Sequence, residues 1–316
     1  MVVSQHETGH IYDTVTIRAR RWTTTLIAMR GYAQTGFGQI HYRHEGEIGP
    51  ALVCFHEAPM SSEIYGPALP VLARSFRAYA FDTPGHGFSD KPAHQPAIED
   101  YGRWLLEAID DIGLDDMIVV GCHTGADIGL EVARQAGPAR VSHAVMTGVP
   151  LMKPDEWEGY FARVLSRGWT GERPKSWSEY FAPDWEPTID GAHMMWAWKR
   201  WASGKRKDYP LESTPIELFQ MAVLQLLIAG PHYNWMYRAA WKYDPEPALR
   251  ALECPVLLLN AGEDPLADKD HEVARILRNA RVVHLEGLTG QLPWRVPERF
   301  TSEIEEFVGV SASSRA

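Results

Sequence analysis

The short stretch Gly121-Cys122-His123-Thr124-Gly125 contains the residue whose type and position point most directly to chemistry. An apolar run ends at Gly121 and a helical pattern begins at Thr124, so a sharp strand-to-helix turn is expected between them. The residue at the tip of such a turn is strained and exposed, which suits a reacting group. His123 occupies this tip, and an imidazole can accept or donate a proton near pH 7.

Three carboxylic acids are candidates to orient or assist His123. Glu57 follows the apolar run ALVCFH, and Asp264 follows the apolar run PVLLLN. Either could hydrogen-bond the imidazole and set its tautomer, and Asp264 could also act through Gln291. Glu57 could instead stay neutral on burial and donate a hydrogen bond to an anion. Asp127, one helical turn after His123, could also reach the ring, although the helix dipole favours an acid there for structural reasons as well.

The composition limits the class of protein. The chain has 316 residues with 45% hydrophobic and 23% charged side chains, as expected for a soluble globular protein. A net charge of −10 argues against a nucleic-acid partner. No run of apolar residues is long enough for a membrane span or a signal peptide, so we expect a cytoplasmic protein without membrane contact. Cys54, Cys122 and Cys254 are expected to be buried thiols, and Cys122 to point into the packing between sheet and helix.

Strand-like and helical patterns alternate along most of the chain. Strands are expected at residues 38–46, 51–56, 77–82, 117–121, 141–148, 255–260 and 281–287. Helices are expected at residues 67–76, 98–114, 124–137, 268–279 and 297–308. This alternation favours a parallel sheet with helices on both faces. Residues 1–30 show no sustained periodicity and are assigned to an N-terminal arm.

A tryptophan-rich stretch interrupts the alternation. Residues 151–245 contain no strand-like run and nine of the twelve tryptophans of the chain. A helical block between two parts of one sheet is expected to be an inserted cap, not a separate linear domain. The core would then consist of residues 31–150 and 246–316.

Several side chains of this cap are candidates for substrate binding. Most aromatic residues in such a cap serve packing, but some are expected to line a cavity above the turn, namely Trp196, Trp198, Trp235 and Tyr237. His193 and His232 are expected to be structural, with the alternative that one of them supplies a base. The spacing of the histidines is not that of metal ligands, and no glycine-rich phosphate loop is present, so no metal and no cofactor are expected.

Four motifs between residues 34 and 309 resemble those of the α/β-hydrolase superfamily. They are His56-Glu57-Ala58-Pro59, the stretch FDTPGHGFSDKP at 81–92, the turn at 121–125 and Gly262-Glu263-Asp264-Pro265. The resemblance implies an α/β-hydrolase fold, with a mostly parallel eight-stranded sheet, flanking helices and an inserted helical cap. It also implies a nucleophile at position 123, an acid at Asp264, and backbone N–H groups of Ala58 and Thr124 that bind an anion.

Three positions depart from the family pattern. The nucleophile position, usually Ser, Asp or Cys, holds His123, and Glu57 replaces a glycine near the anion site. The histidine that normally follows the eighth strand is absent, and its position corresponds to Gln291 or Gly290. Because glutamine cannot accept a proton from a hydroxyl group, the resemblance with these departures excludes serine attack assisted by histidine and predicts a degenerate triad.

Three functions are compatible with these residues. In the first, His123 is a general acid or base that works with Glu57 or Asp264 on a small apolar or aromatic substrate. The reaction would be non-covalent hydrolysis of an ester or lactone, or a proton transfer of lyase, decarboxylase or cyclase type. In the second, the chain is catalytically inactive and binds a ligand, and these side chains only fill and brace the cavity. In the third, His123 is a nucleophile that forms an acyl-imidazole. Each predicts a small-molecule partner, and a homodimer is compatible with all three.

Overall fold

A computed structural model of the chain describes residues 28–153, 156–160, 186–202 and 214–310. An N-terminal arm was expected at residues 1–30, and its residues 1–27 lie outside the described residues. Met29 and Arg30 already belong to the first strand. Parts of the cap expected at residues 151–245 also lie outside the described ranges.

The described residues form one sheet of eight strands. These are β1 Met29–Gln34, β2 Gln39–Glu45, β3 Ala51–Phe55, β4 Arg77–Phe81, β5 Met117–Cys122, β6 Val141–Thr147, β7 Val256–Ala261 and β8 Ala280–Leu285. Their order across the sheet is β1-β2-β4-β3-β5-β6-β7-β8. The pairs β1/β2 and β2/β4 are antiparallel, and the other pairs are parallel. The predicted sheet is confirmed, but β1 was not expected, because this edge strand buries only Ala33 and therefore has no clear apolar alternation.

In the described residues, helices lie in the connections after β3 and follow β8. They are α1 Leu69–Leu72, α2 Ile98–Asp111, α3 Thr124–Ala136, α4 Ala192–Ala202, α5 Ile216–Ala229, α6 Trp235–Ala240, α7 Glu246–Ala251, α8 Asp270–Ile276, α9 Leu292–Arg295 and α10 Pro297–Val308. The expected helices at 98–114, 124–137 and 297–308 correspond closely to α2, α3 and α10. These have strong apolar periodicity, and α3 ends at a glycine.

The core consists of two hydrophobic layers on opposite faces of the sheet. Strands β3, β5 and β7 are buried at every position, as is typical of parallel strands covered by helices. Because side chains alternate along a strand, Val53 packs in one layer with Leu105 of α2. Its neighbour Leu52 packs in the other layer with Phe300 of α10. These layers hold the carboxyl ends of the parallel strands at one edge of the sheet.

The described residues between β6 and β7 form helices and turns and no strand. Ala197 of α4 and Leu218 of α5 are buried in the same cluster as Val145 and Leu257 of the sheet. A helical cap is compatible with this arrangement, and its boundaries at 151 and 245 stay a prediction. In the described part of the chain, no helix is both long enough and apolar enough to cross a membrane.

The motif at 81–92 has a structural role in the connection after β4. Asp82 is buried and accepts hydrogen bonds from the backbone N–H groups of Ser62 and Phe88, at 2.7 and 2.8 Å. His41 Nδ1 lies 2.8 Å from the same carboxylate. Burial alone would raise the pKa of Asp82, but the hydrogen bonds from His41 and Ser62 hold it below its ordinary value. The carboxylate thereby ties β2, β4 and the turn after β3 together.

Candidate active site

The turn that presents His123 depends on two glycines. A Cβ on Gly121 would lie 2.4 Å from the carbonyl oxygen of Gly125, and a Cβ on Gly125 would lie 2.3 Å from that of Phe55. Only glycine therefore allows α3 to begin so close to β3 and β5. Between the glycines, His123 adopts φ 50° and ψ −117°, and its N–H donates to Thr147 O at 2.8 Å. This strained backbone directs the imidazole outward, and its side chain is 28% exposed.

Asp264 contacts the imidazole directly. His123 Nε2 lies 2.9 Å from Asp264 Oδ2, and the carboxylate is almost completely buried. The other carboxylate oxygen, Oδ1, accepts the backbone N–H of Leu266 at 2.9 Å. In a neutral imidazole, an Nε2–H that donates to this carboxylate leaves the ring lone pair on Nδ1. The structure thus brings two predicted site residues together from loops after β5 and β7.

Gly148, at the end of β6, is a site residue that the sequence reasoning missed. A Cβ at this position would lie 2.5 Å from Cδ2 and 2.8 Å from Nε2 of the His123 ring, and 3.4 Å from Asp264 Oδ1. Its φ of +61° is also in the region that favours glycine. The only signal available in the sequence was a glycine that directly follows a strand, which is typical of close backbone approach but does not name the partner.

Glu57 hydrogen-bonds Cys122 and Gln291 instead of the imidazole of His123. Its Oε2 accepts a hydrogen bond from Cys122 Sγ at 2.8 Å, and its Oε1 accepts one from Gln291 Nε2 at 3.1 Å. Burial, reinforced by the Glu57 carboxyl, raises the pKa of the Cys122 thiol well above its ordinary value, which disfavours a thiolate nucleophile. The two expectations that Glu57 would set the imidazole tautomer and that Asp264 would act through Gln291 are therefore wrong. The buried Glu57 oxygens are used in bracing the loops after β3, β5 and β8.

Ala58 and Thr124, both expected to bind an anion through backbone N–H groups, contact each other. The N–H of Ala58 donates to Thr124 Oγ1 at 2.8 Å. Tyr237, expected to line the substrate cavity, donates its hydroxyl hydrogen to Ala58 O at 2.6 Å. The expected donor at Ala58 is thus already engaged by a hydroxyl group, which corrects the simple picture of two open N–H groups.

The other aromatic candidates occupy different environments. Trp196 packs edge-on against Tyr233 with ring centroids 5.9 Å apart, and Trp198 is 40% exposed beside Phe219. Trp235 stacks on His232 at 4.0 Å. It lines a small cavity together with Pro84, Gly85, His86, Lys91, Pro92, Tyr101 and His232. This lining includes none of the acids near the imidazole, so a place for Trp235 above His123 is not supported.

His193 and Asp127 take structural positions. His193 Nδ1 accepts the backbone N–H of Thr188 at 3.0 Å. Asp127 is buried in the first turn of α3, and burial raises the pKa of its carboxyl well above the ordinary value, although His123 lowers it in part. Asp127 is therefore a buried group beneath the turn, with a carboxyl whose ionisation is disfavoured. Across the described ranges, no group of three or more His, Cys, Asp or Glu side chains is arranged to hold a metal ion.

A second pairing of carboxyl and imidazole groups supports the loop that carries Asp264. Asp270, at the start of α8, is fully buried, and its Oδ2 lies 2.9 Å from His284 Nε2 and 3.3 Å from Asn260 Nδ2. Burial raises the pKa of Asp270 to about 6 despite these hydrogen bonds. Asn260 and Asp270 flank the turn that presents Asp264, so this pair connects the turn to β8.

This raised pKa predicts a pH-dependent stability. A carboxyl with a raised folded-state pKa binds its proton more tightly when folded, so its contribution is complete below the ordinary pKa of 3.8 and is lost as the pH rises through about 6. We expect this group to lower the free energy of unfolding by up to about 3 kcal/mol between pH 4 and pH 7. Asp270→Asn should remove most of that decline in urea titrations across this range. The exposed Asp268→Asn serves as control, and equal pH slopes for Asp270→Asn and the wild type would contradict the prediction.

The chain is similar in sequence to known proteins of one fold family. A family model described as alpha/beta hydrolase fold matches residues 50–286. A non-heme haloperoxidase of Rhodococcus erythropolis is 26% identical over 273 residues, which covers 79% of this chain and 89% of the relative. A pimeloyl-[acyl-carrier protein] methyl ester esterase of Nitrosospira multiformis is 30% identical over 114 residues, covering 35% of this chain and 43% of the relative. The match to that esterase thus spans less than half of its length.

Solved structures show the same fold. The enol-lactonase from Burkholderia xenovorans LB400 aligns with a TM-score of 0.66 and 19% identity, covering 88% of this chain and all of that protein. An E-2-(acetamidomethylene)succinate hydrolase aligns with a TM-score of 0.68 and 19% identity, covering 90% of this chain and all of that protein. At this level of identity the similarity concerns the fold.

These relatives correct the first function expected from the sequence. They are named esterase, haloperoxidase, hydrolase and lactonase, and such proteins are typical serine-nucleophile hydrolases. The prediction of non-covalent acid–base chemistry by His123, with lyase, decarboxylase and cyclase variants, is therefore wrong, as is its alternative of an inactive ligand-binding protein. It inferred a change of reaction class from two altered residue types, whereas the surrounding fold is one that carries hydrolytic enzymes. The chain belongs to the α/β hydrolase fold family.

Proposed function

We propose that the chain hydrolyses carboxylic esters or lactones and that His123 is its nucleophile. The observation that carries this proposal is the 2.9 Å contact between His123 Nε2 and Asp264 Oδ2 at the position where the family has its nucleophile. The names of the relatives support the reaction class, since they include a methyl ester esterase and an enol-lactonase.

The residue types explain how such an enzyme works without a second histidine. A serine hydroxyl must lose its proton to become a strong nucleophile, so it needs a base beside it. A neutral imidazole already carries a lone pair, which Asp264 assigns to Nδ1 by accepting the Nε2 proton. The lack of a histidine after β8, where the chain has Gly290 and Gln291, is therefore compatible with turnover. Gln291 hydrogen-bonds Glu57 instead.

The proposed reaction has two steps. His123 Nδ1 attacks the carbonyl carbon, and the π electron pair moves onto the carbonyl oxygen to give a tetrahedral oxyanion. When this intermediate collapses, the bond to the alkoxide breaks and an acyl-imidazolium remains, which keeps its Nε2 proton beside Asp264. The alkoxide takes a proton from water, and the hydroxide formed in this way attacks the acyl carbon in the second step. Hydrolysis of that acyl group releases the carboxylic acid and restores the imidazole. Asp264 stabilises the positive charge that the ring gains during attack.

The test combines turnover with trapping of the acyl group. The wild type is assayed on a panel of short-chain aryl esters and lactones, and acid-quenched reactions are digested and analysed by mass spectrometry. We expect an added acyl mass on the peptide that contains His123, and we expect His123→Ala to lose that adduct and at least about 1,000-fold in kcat/KM.

The exposed His94 provides a matched control, because His94→Ala removes an imidazole that faces solvent. This variant should keep wild-type activity and the adduct on His123. Turnover by His123→Ala at the wild-type rate would overturn the proposal, as would an acyl adduct found only on another residue.

A further inference from the structure

The contact between Ala58 and Thr124 lies where the oxyanion of the proposed reaction would form. The residue after the nucleophile and the loop after β3 supply the anion-binding donors in similar folds. Here Thr124 Oγ1 accepts the Ala58 N–H at 2.8 Å, and both residues are buried. The hydroxyl oxygen therefore already occupies the place beside Ala58 N that a substrate oxygen would otherwise take.

Two further contacts hold this arrangement in place. Tyr237 donates to Ala58 O at 2.6 Å, which fixes the loop after β3 from the side of α6. Thr124 is the first residue of α3, directly after His123, and its hydroxyl oxygen is held by the Ala58 N–H. The hydroxyl group is thus preorganised at a fixed position next to the imidazole.

We propose that the Thr124 hydroxyl donates a hydrogen bond to the oxyanion, in place of the Ala58 N–H. This inference rests on the proposed ester or lactone hydrolysis. A threonine hydroxyl has one hydrogen to donate while its oxygen accepts. The hydrogen bond from the Ala58 N–H polarises the O–H group, and this strengthens the hydrogen bond that the hydroxyl donates to the substrate oxygen. No proton is transferred in this contact. The carbonyl electron pair moves onto the oxygen during attack and returns when the alkoxide leaves, and the hydrogen bond stabilises the charge between those events.

The alternative is that Thr124 only fills the anion site and must move aside for the substrate. The two roles predict opposite signs when the hydroxyl is removed. A filler slows the reaction, so its loss would leave the rate unchanged or raise it. A donor accelerates the reaction, so its loss must lower kcat.

The test uses three variants of Thr124 in the full chain. Thr124→Val keeps the shape and removes the hydroxyl, Thr124→Ala removes it without adding bulk, and Thr124→Ser retains it. We expect both hydroxyl-free variants to lose about 100-fold or more in kcat with KM changed by less than about threefold, and Thr124→Ser to stay within about tenfold of the wild type. Thermal unfolding identifies the variants that are folded at the assay temperature, and either hydroxyl-free variant suffices.

The rate at which the acyl group appears on His123 separates this proposal from the preceding one. Slow acylation of His123 in a hydroxyl-free variant supports the role of Thr124. Acylation of His123 at or above the wild-type rate in that variant would overturn it and leave the nucleophile assignment intact. Absence of any adduct on His123 in the wild type during turnover would overturn both.

Discussion

Replacing Asp264 with asparagine is expected to lower kcat by about 100-fold to 10,000-fold while the fold is retained, as for other orienting acids. The physical reason lies in the two contacts of the carboxylate. Oδ1 accepts the Leu266 N–H at 2.9 Å, so an asparagine would keep its carbonyl oxygen there and direct its NH₂ group toward His123 Nε2. That nitrogen would then have to accept, which moves the ring proton to Nδ1 and removes the lone pair that attacks the substrate.

The measurement combines kinetics with the tautomer of the ring. Steady-state kcat and KM are determined for the ester or lactone that the wild type hydrolyses, and ¹⁵N NMR of labelled histidine reports which ring nitrogen carries the proton. Asp268→Asn, a change at an exposed acid of the same loop, should leave both readouts unchanged. If Asp264→Asn retained more than about a tenth of wild-type kcat, the nucleophilic role of Nδ1 would be excluded, since the effect expected from tautomer loss is far larger.

The second large effect is expected for Gly148→Ala, which should abolish at least about 99% of activity and cost roughly 1–3 kcal/mol of stability. The new methyl group would lie 2.5 Å from His123 Cδ2 and 2.8 Å from Nε2, distances that real side chains do not tolerate. Because backbone and sheet on both sides are buried, the imidazole is the group that must move, and it would lose its contact with Asp264. The φ of +61° adds backbone strain of its own.

The control variant Gly113→Ala separates the effect of the steric contact with His123 from the effect of backbone strain. Gly113 follows α2 with φ +74°, but a Cβ there would meet nothing within 4 Å. Both variants should therefore unfold at lower temperature than the wild type, whereas only Gly148→Ala should lose activity. Equal activity of the two variants would show that the ring position near Gly148 has no bearing on catalysis.

The backbone architecture was largely accessible from local patterns in the chain. Buried parallel strands are continuous apolar runs, and ALVCFH and PVLLLN proved to be β3 and β7. The position of His123 at a strained turn followed from the spacing of Gly121 and Gly125, because only glycine allows such close packing of strand and helix. The edge strand β1 was missed for the converse reason, since an exposed strand has little apolar periodicity.

The residue types alone could not show which acid hydrogen-bonds His123 and which hydrogen-bonds Gln291. His123 and Asp264 are 141 residues apart, and Glu57 and Gln291 are 234 residues apart, so their contacts depend on how loops after different strands converge. Several acids were compatible with the imidazole in the sequence, and the distances select one of them. The role of Gly148 could not be predicted either, because a glycine in the sequence does not indicate which side chain, here the His123 ring, packs against it.

For the chemistry of the site, too, some features follow from the sequence and others only from the folded chain. The imidazole at the turn and the amide of Gln291 after β8 are evident from the sequence alone. Which ring nitrogen keeps the lone pair of a neutral imidazole depends on the contact with Asp264, and that contact exists only in the folded chain. Side-chain chemistry is local and can be inferred residue by residue, whereas tautomer, orientation and donor geometry arise from neighbours that are distant in sequence.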